Sequence, residues 1–468
     1  MRALLLRLSA TAVAVLAVLG LAAAPANAAP PDDIRAALDR VPGLTVVAEN
    51  PAPAGYRFFV LTFRQFADHR NPGAGAFEQR LTLLHRDVRA PMVMYTSGYN
   101  VSLTPNRSEP TQLVNGNQLS MEYRYFTPSR PAPPDWSGQL TIWQAATDQH
   151  RIATAFKSIY QANWLATGGS KGGMTATYFR RFYPGDVHGT IPYVAPNDVL
   201  DPIDNYNRFL SRVGTDPSCR AALRAIQRDA LVRRDELGAL AAKEAAEKGY
   251  TFTTLGSLDK SLEIAVIDSY WAFWQYRKQA DCASIPAPGA PAEVLYEYYD
   301  TTESLVTYAD QELERYVPYY YQAAVQLGSG ESYESYLRDL LRYPGTNQPW
   351  TFVPKSVPRK HFDYLAMPDI DFWVRTQSDR MLFVYGENDP WGAEAFHPSR
   401  HDSYRYTVPG GNHGARIAQL PPDQAAEATV TVRRWAGVDP AATRVESAPA
   451  DAPVTFDADP IMLTRPRL

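Results

Sequence analysis

Cysteine is almost absent: 468 residues contain two, Cys219 and Cys282. Neither has a neighbourhood that would activate a thiol, so a cysteine nucleophile is excluded. Histidine is sparse too, with eight copies. None forms the H-E-x-x-H spacing of a zinc site, so no metal and no cofactor are expected. Charge of one sign is not in excess. The formal net charge is −4, which gives no electrostatic footprint for nucleic acid. After the first 24 residues no apolar run could span a membrane. No internal repeat is found.

The first residues read as a targeting segment rather than structure. Arg2 and Arg7 supply a positive start, 11–24 an apolar stretch, and Ala26-Asn27-Ala28 a small-residue cleavage site. The mature chain then begins near Ala29. No cysteine follows the apolar stretch, which excludes lipid attachment there. The expectation is a secreted, extracellular, monomeric protein with no membrane contact after signal removal. In an oxidising compartment a Cys219–Cys282 disulfide is the default, two buried thiols being the alternative. With 45% hydrophobic residues, 12% of all residues being aromatic, the chain can bury one large core with an insertion, or two domains.

The stretch Ala166-Thr167-Gly168-Gly169-Ser170-Lys171-Gly172-Gly173-Met174 contains G-x-S-x-G. That pattern builds a nucleophile elbow, in which a strand turns sharply into a helix and presents a serine hydroxyl. The strained turn needs residues without side chains around the serine. Apolar residues 163–166 precede it and a helix-like run, 174–182, follows. An elbow serine needs a base, and the base needs an acid to orient it. Both occur in the order Ser, acid, His. The strand-like run 380–385 ends in Gly386-Glu387-Asn388-Asp389-Pro390-Trp391. The alternating run 403–408 ends in Pro409-Gly410-Gly411-Asn412-His413. Asp389 and His413 thus fall just past the carboxyl ends of successive strands, where open α/β sheets keep their sites. Ser170, Asp389 and His413 are the predicted catalytic triad. Glu387 competes as the acid but reads as a loop or surface residue. His397 and His401 do not directly follow a strand. His69, His85, His150, His188 and His361 have no matching context.

Short strands over 45–47, 56–64, 80–85, 92–96 and 118–126 open the chain as a partly antiparallel sheet. A helix at 140–159 leads to the strand before the elbow, and 190–194 is the next strand. From 199 to 374 strand character is lost, and 233–248, 262–278 and 303–326 read as helices. The fold class is α/β, an α/β-hydrolase fold with a large helical cap inserted between the nucleophile-bearing and acid-bearing parts of the sheet. The expected organisation is signal peptide 1–28, first core part 29–198, cap 199–374, second core part 375–440 and extended tail 441–468. The cap is rich in aromatics: Tyr270, Trp271, Phe273, Trp274, Tyr276, Tyr296, Tyr298, Tyr299, Tyr316, Tyr319, Tyr320 and Tyr321. Most serve packing, and some are expected to line an apolar slot for a ring such as proline.

Several stretches resemble secreted serine peptidases of family S37, the Streptomyces-type prolyl tri/tetrapeptidyl aminopeptidases. They are Gly168 to Thr175, Tyr193-Val194-Ala195-Pro196-Asn197-Asp198, Tyr385 to Trp391, Gly410-Gly411-Asn412-His413, Met94 to Tyr99 and Gln118 to Arg124. The proline-specific S28 peptidases are more distantly similar; Tyr123 stands where they have histidine. The resemblance implies release of short peptides from free N-termini, often after proline, and the same triad residues. The partner is then a peptide with a free N-terminus. A secreted esterase or lipase, or an S28-like dipeptidyl or carboxypeptidase, is the alternative.

The oxyanion hole is expected from the backbone N–H groups of Lys171 and Tyr99. The Lys171 side chain is expected at the surface or in an ion pair. A carboxylate holding the substrate ammonium is sought among Glu122, Asp198 and Glu236. An internal ion pair with Arg124 competes for Glu122, and a helix cap for Asp198.

Overall fold

A computed structural model describes residues 33–200 and 205–439. The expected signal peptide (1–28) and the tail (441–468) lie outside the described residues. Nine strands form one sheet: β1 (Leu44–Asn50), β2 (Arg57–Phe66), β3 (Ala76–His85), β4 (Met92–Thr96), β5 (Asn117–Met121), β6 (Trp164–Gly169), β7 (Gly189–Tyr193), β8 (Leu382–Gly386) and β9 (Tyr404–Val408). Their order is β1-β2-β3-β5-β4-β6-β7-β8-β9. Pairing is antiparallel from β1 through β3 to β5 and parallel from there onward.

The parallel strands β4 to β8 are buried along their whole length, as expected for a sheet covered on both faces. Alternation sorts their side chains. Met92, Met94, Trp164 and Ala166 pack with Ile152, Phe156, Ala176 and Phe179 on one face. Val93, Leu165, Ile191, Leu382 and Val384 pack with Ala428, Val432 and Trp435 on the other. Helices Ile142–Phe156 and Lys171–Phe182 therefore cover the first face, and Glu109–Val114 with Pro422–Trp435 the second. Thr141 starts the first of these helices by accepting the Gln144 N–H at its side chain.

The segment between β7 and β8 is helical and has a core of its own. Its centre is Leu258–Tyr276, buried from Ser261 to Gln275, so no polar stripe faces water. Pro217–Val232, Arg234–Lys248 and Ala292–Thr302 pack around it through Leu223, Ile226, Leu237, Leu262, Val266, Trp274, Leu295 and Tyr299. Cys219 and Cys282 are joined, with Cα atoms 5.5 Å apart, tying Pro217–Val232 to the turn Gln279–Ser284.

Two expectations change. The helix expected over 303–326 is broken into Asp310–Leu313, Val317–Gln322 and a wide turn Ala323–Leu327, because Pro318 can only open a helix. Ala366–Thr376, grouped with the cap from the sequence, packs on the sheet instead. Its Met367, Ile370, Trp373 and Val374 meet Met174, Tyr178, Phe383 and Tyr385. No described helix is long and apolar enough to cross a membrane.

Candidate active site

Ser170 stands between β6 and the Lys171–Phe182 helix at φ 55° and ψ −127°, a strained conformation for a residue with a side chain. The turn is held by the Ser170 N–H, which donates to the Tyr193 carbonyl of β7 at 2.9 Å. Glycine is required beside it. A Cβ at Gly172 would collide with the Thr96 carbonyl of β4, and one at Gly173 would lie 2.8 Å from the Tyr193 carbonyl. The motif glycines thus let the helix start pack directly on the neighbouring strands.

Asp389 follows β8 and His413 follows β9, two adjacent parallel strands on the same side of the elbow strand. His413 Nδ1 and Asp389 Oδ2 are 2.7 Å apart, with side chains 1% and 0% exposed. The other Asp389 oxygen accepts the Trp391 N–H at 3.1 Å, so the carboxylate cannot rotate away. Asp389 bonded to Nδ1 leaves Nε2 as the free face of the imidazole. Nε2 is buried and makes no hydrogen bond in this geometry, so the Ser170 hydroxyl is not yet engaged with it. Glu387 is exposed and accepts the Gly410 N–H at 2.7 Å, bracing the histidine loop rather than the histidine. His397 is bonded to Arg405, His69 to Asp148 and His150 to Asp186, all away from Ser170 in the hydrogen-bond network.

The cap closes on these groups. The His413 N–H donates to the Gln275 carbonyl at 3.0 Å, and Asn412 Nδ2 to the Arg277 carbonyl at 3.3 Å. Both acceptors sit at the carboxyl end of the Leu258–Tyr276 helix or one residue past it. Tyr276 packs edge-on to His413 with ring centroids 6.3 Å apart. Tyr99, beyond β4, packs against Tyr316 at 6.0 Å and Tyr319 at 5.8 Å. Trp391, beside Asp389, packs against Trp271 at 4.9 Å. Tyr276 and Tyr316 remain half-buried, whereas Tyr270, Phe273, Trp274, Tyr299, Tyr320 and Tyr321 are consumed by the cap core.

The other expected site residues divide. The Tyr99 N–H, expected in the oxyanion hole, donates instead to Ser97 Oγ at 3.1 Å within its own loop, and the Tyr99 carbonyl accepts the Tyr123 N–H at 2.8 Å. The Lys171 N–H is the first of the helix and has no intrahelical acceptor. The Lys171 side chain is neither at the surface nor ion-paired: it is buried, and Nζ donates to the Gly98 carbonyl at 2.8 Å. Glu122 is fully buried and already paired, accepting from Arg80, Asn100 Nδ2 and the Val101 N–H at Oε2 and from Ser129 Oγ at Oε1, which suits it to an internal ion pair rather than to a ligand. Burial holds its carboxyl above the ordinary range. Its cation is Arg80, not Arg124, whose guanidinium pairs with the buried Asp148. Glu236 lies exposed on the cap, paired with Arg233, so it lines no desolvated pocket. Asp198 is 3% exposed at the exit from β7, and its carboxylate lies against Gly328.

A parallel sheet with an elbow serine, followed in chain order by an acid and a histidine on adjacent strand ends, defines an α/β-hydrolase with serine-hydrolase machinery. The family model "PS-10 peptidase S37" matches residues 28–462, and the chain belongs to that family of peptidases. It is 55% identical over 436 residues to the prolyl tri/tetrapeptidyl aminopeptidase of Streptomyces mobaraensis, covering 92% of this chain and 90% of that protein. Among solved structures, proline iminopeptidase from Mycobacterium smegmatis is 13% identical, with 80% of this chain and 98% of that one covered and a TM-score of 0.36. A peroxisomal alpha-beta-hydrolase of Saccharomyces cerevisiae is 12% identical, with 84% and 86% covered and a TM-score of 0.32.

Proposed function

We propose that this peptidase is a secreted serine exopeptidase that releases tripeptides, and tetrapeptides in some sequences, from free N-termini, cutting after proline. The observation that carries the mechanism is the buried 2.7 Å His413–Asp389 pair, which follows strands β8 and β9 of the sheet whose β6 ends at the elbow serine. Ser170 Oγ attacks the scissile carbonyl while His413 Nε2 takes its proton. His413 then returns the proton to the leaving amine, and water repeats the sequence on the acyl-enzyme. Asp389 fixes the tautomer and stabilises the imidazolium. The Lys171 N–H, first of its helix, receives the oxyanion, and the Tyr99 N–H joins it on leaving Ser97 Oγ. Flat aromatic surface on Tyr276, Tyr316 and Tyr99 suits the pyrrolidine ring of proline. The relative's name, a prolyl tri/tetrapeptidyl aminopeptidase, supports the same substrate class.

Counting residues from a free N-terminus needs a fixed partner for the ammonium. Of the acids named from the sequence, Asp198 fits this role, being buried where the chain leaves the sheet for the cap. Acetylating the substrate amine strips one side of a buried ion pair, which costs about 3–5 kcal/mol, or at least roughly 10²-fold in kcat/KM. The deciding experiment compares Ala-Ala-Pro-p-nitroanilide with its N-acetyl form, on wild type and Asp198→Asn. The free substrate should be favoured at least about a hundredfold, and Asp198→Asn should erase most of that preference. Equal cleavage of both substrates by wild type would indicate an endopeptidase or an esterase.

A further inference from the structure

Between cap and core lies a cavity of about 550 Å³, a size that takes small ligands and short peptide segments. Its core wall includes Glu387, Asn388 and Gly410. Its cap wall includes Arg208, Phe209, Arg212 and Val213. Both walls are held in place. The Asn205 N–H and Nδ2 each donate to Glu394 Oε1 at 2.8 Å, and Tyr206 packs against Trp391 with ring centroids 5.8 Å apart. The Asn388 N–H donates to the Gly411 carbonyl at 2.8 Å, which joins the acid loop to the histidine loop. A cavity with fixed walls spares a ligand the cost of ordering them.

Its charge is unbalanced. Arg208 and Arg212 stand four residues apart at the end of the helix Tyr206–Leu210, and both are exposed. They line the same cavity, and among the described residues neither has a carboxylate partner. Arg181, Arg228, Arg233 and Arg434 differ in this respect, each being paired with an Asp or Glu. Glu387 is the acid in the cavity wall, and its Oε2 already accepts the Gly410 N–H at 2.7 Å. Gln279, also in the wall, is engaged with Thr215. Phe209 and Val213 add apolar surface. Two unpaired guanidinium groups beside apolar surface suit an acidic peptide segment.

The course of the reaction says which segment that is. His413 returns its proton to the leaving amine, so the peptide downstream of the cut departs past the histidine. The loops carrying base and acid form the cavity's core wall: Gly410 lies three residues before His413, and Asn388 directly precedes Asp389. None of the lining residues belongs to the elbow helix or to the loop after β4, which leaves the bond being cut and the residues before it to other surfaces. We propose that this cavity seats the substrate from the second residue after the cut onward, and that Arg208 and Arg212 select acidic side chains there. The assignment rests on the reading of the chain as an exopeptidase that releases tripeptides.

The test places two peptides in competition for the full-length enzyme: Ala-Ala-Pro-Ala-Asp-Ala-amide and Ala-Ala-Pro-Ala-Lys-Ala-amide. The relative rates at which the two leaving peptides appear give the ratio of their kcat/KM values. Any change in folding or chemistry common to both divides out of that ratio. Exposed ion pairs are individually weak, so wild type should favour the Asp peptide by about three- to tenfold at low salt. The preference should shrink at about 1 M salt, where charges are screened beyond about 3 Å. Arg208→Gln with Arg212→Gln should bring the ratio to about one, and Arg208→Glu with Arg212→Glu should invert it in favour of the Lys peptide. An Asp preference that survives in both double variants would overturn the proposal. If both peptides release Ala-Ala-Pro at equal rates from wild type, the cavity's role fails and the exopeptidase reading stands. If neither releases it, the exopeptidase reading fails and takes the proposal with it.

Discussion

Replacing Asp389 by asparagine perturbs the most constrained contact of the site while keeping its shape. The asparagine oxygen can still accept the Trp391 N–H, as one carboxylate oxygen does at 3.1 Å. Its amide nitrogen then replaces the oxygen that sits 2.7 Å from His413 Nδ1. Two N–H groups cannot face each other there, so the imidazole must move its proton to Nε2. In that tautomer His413 presents a donor to Ser170 and cannot act as its base. The pair is buried, with 1% and 0% of the two side chains exposed, so water cannot substitute for the lost acceptor. The corresponding change in a well-studied triad lowers kcat by roughly 10⁴, equivalent to about 5 kcal/mol of transition-state stabilisation. The assay is kcat and KM on Ala-Ala-Pro-p-nitroanilide, with melting temperature as the control for folding. Glu387→Gln provides the contrast. That carboxylate is exposed and contacts the Gly410 N–H, so its loss should cost no more than about 1 kcal/mol, roughly fivefold. The reasoning is refuted if the asparagine variant retains kcat within tenfold of wild type, or if Glu387→Gln proves the more damaging change.

Two further outcomes concern the rest of the molecule. Cys219→Ser with Cys282→Ser opens a link between residues 63 apart and should destabilise the cap by about 4 kcal/mol in the chain-entropy model, read as a fall in denaturation midpoint; an unchanged midpoint would show that the link adds nothing. His85, at the end of β3, is bonded to Tyr160 and held by burial at about 4, below its ordinary 6.5. The unfolded chain binds this proton first as pH falls, so its contribution to stability is complete above about pH 6.5 and is lost progressively towards pH 4. Melting curves of His85→Gln should therefore decline less steeply than wild type across that interval, and parallel curves would exclude His85 as a source of acid lability.

The elbow and the two strand-end loops were legible because each is a local pattern. Glycines around Ser170 are demanded by backbone crowding within a few residues, and Asp389 and His413 each follow a short apolar run. The sheet was legible for the same reason, with alternation over 61–66 and continuous burial at β4 and β6. The surroundings of Lys171 were not. A lysine in a glycine-rich turn reads as solvated, and its cage is assembled from Tyr99, Tyr123 and Phe126, which lie 45 to 72 residues earlier in the chain. Glu122 failed likewise. Its neighbour Arg124 suggested a pair, but the strand ends at Met121 and the two side chains diverge to Arg80 and Asp148. Charge partners across a sheet are set by register, which a single strand does not record.

The backbone bond from His413 to Gln275 joins the proton carrier to the cap: the end of the Leu258–Tyr276 helix supplies an anchor for the loop bearing the base. The same holds one residue earlier, where Asn412 Nδ2 is tied to the Arg277 carbonyl just past that helix. A cap substitution that shifts the end of this helix is therefore expected to lower turnover through the base, with the sheet and the elbow serine left as they are.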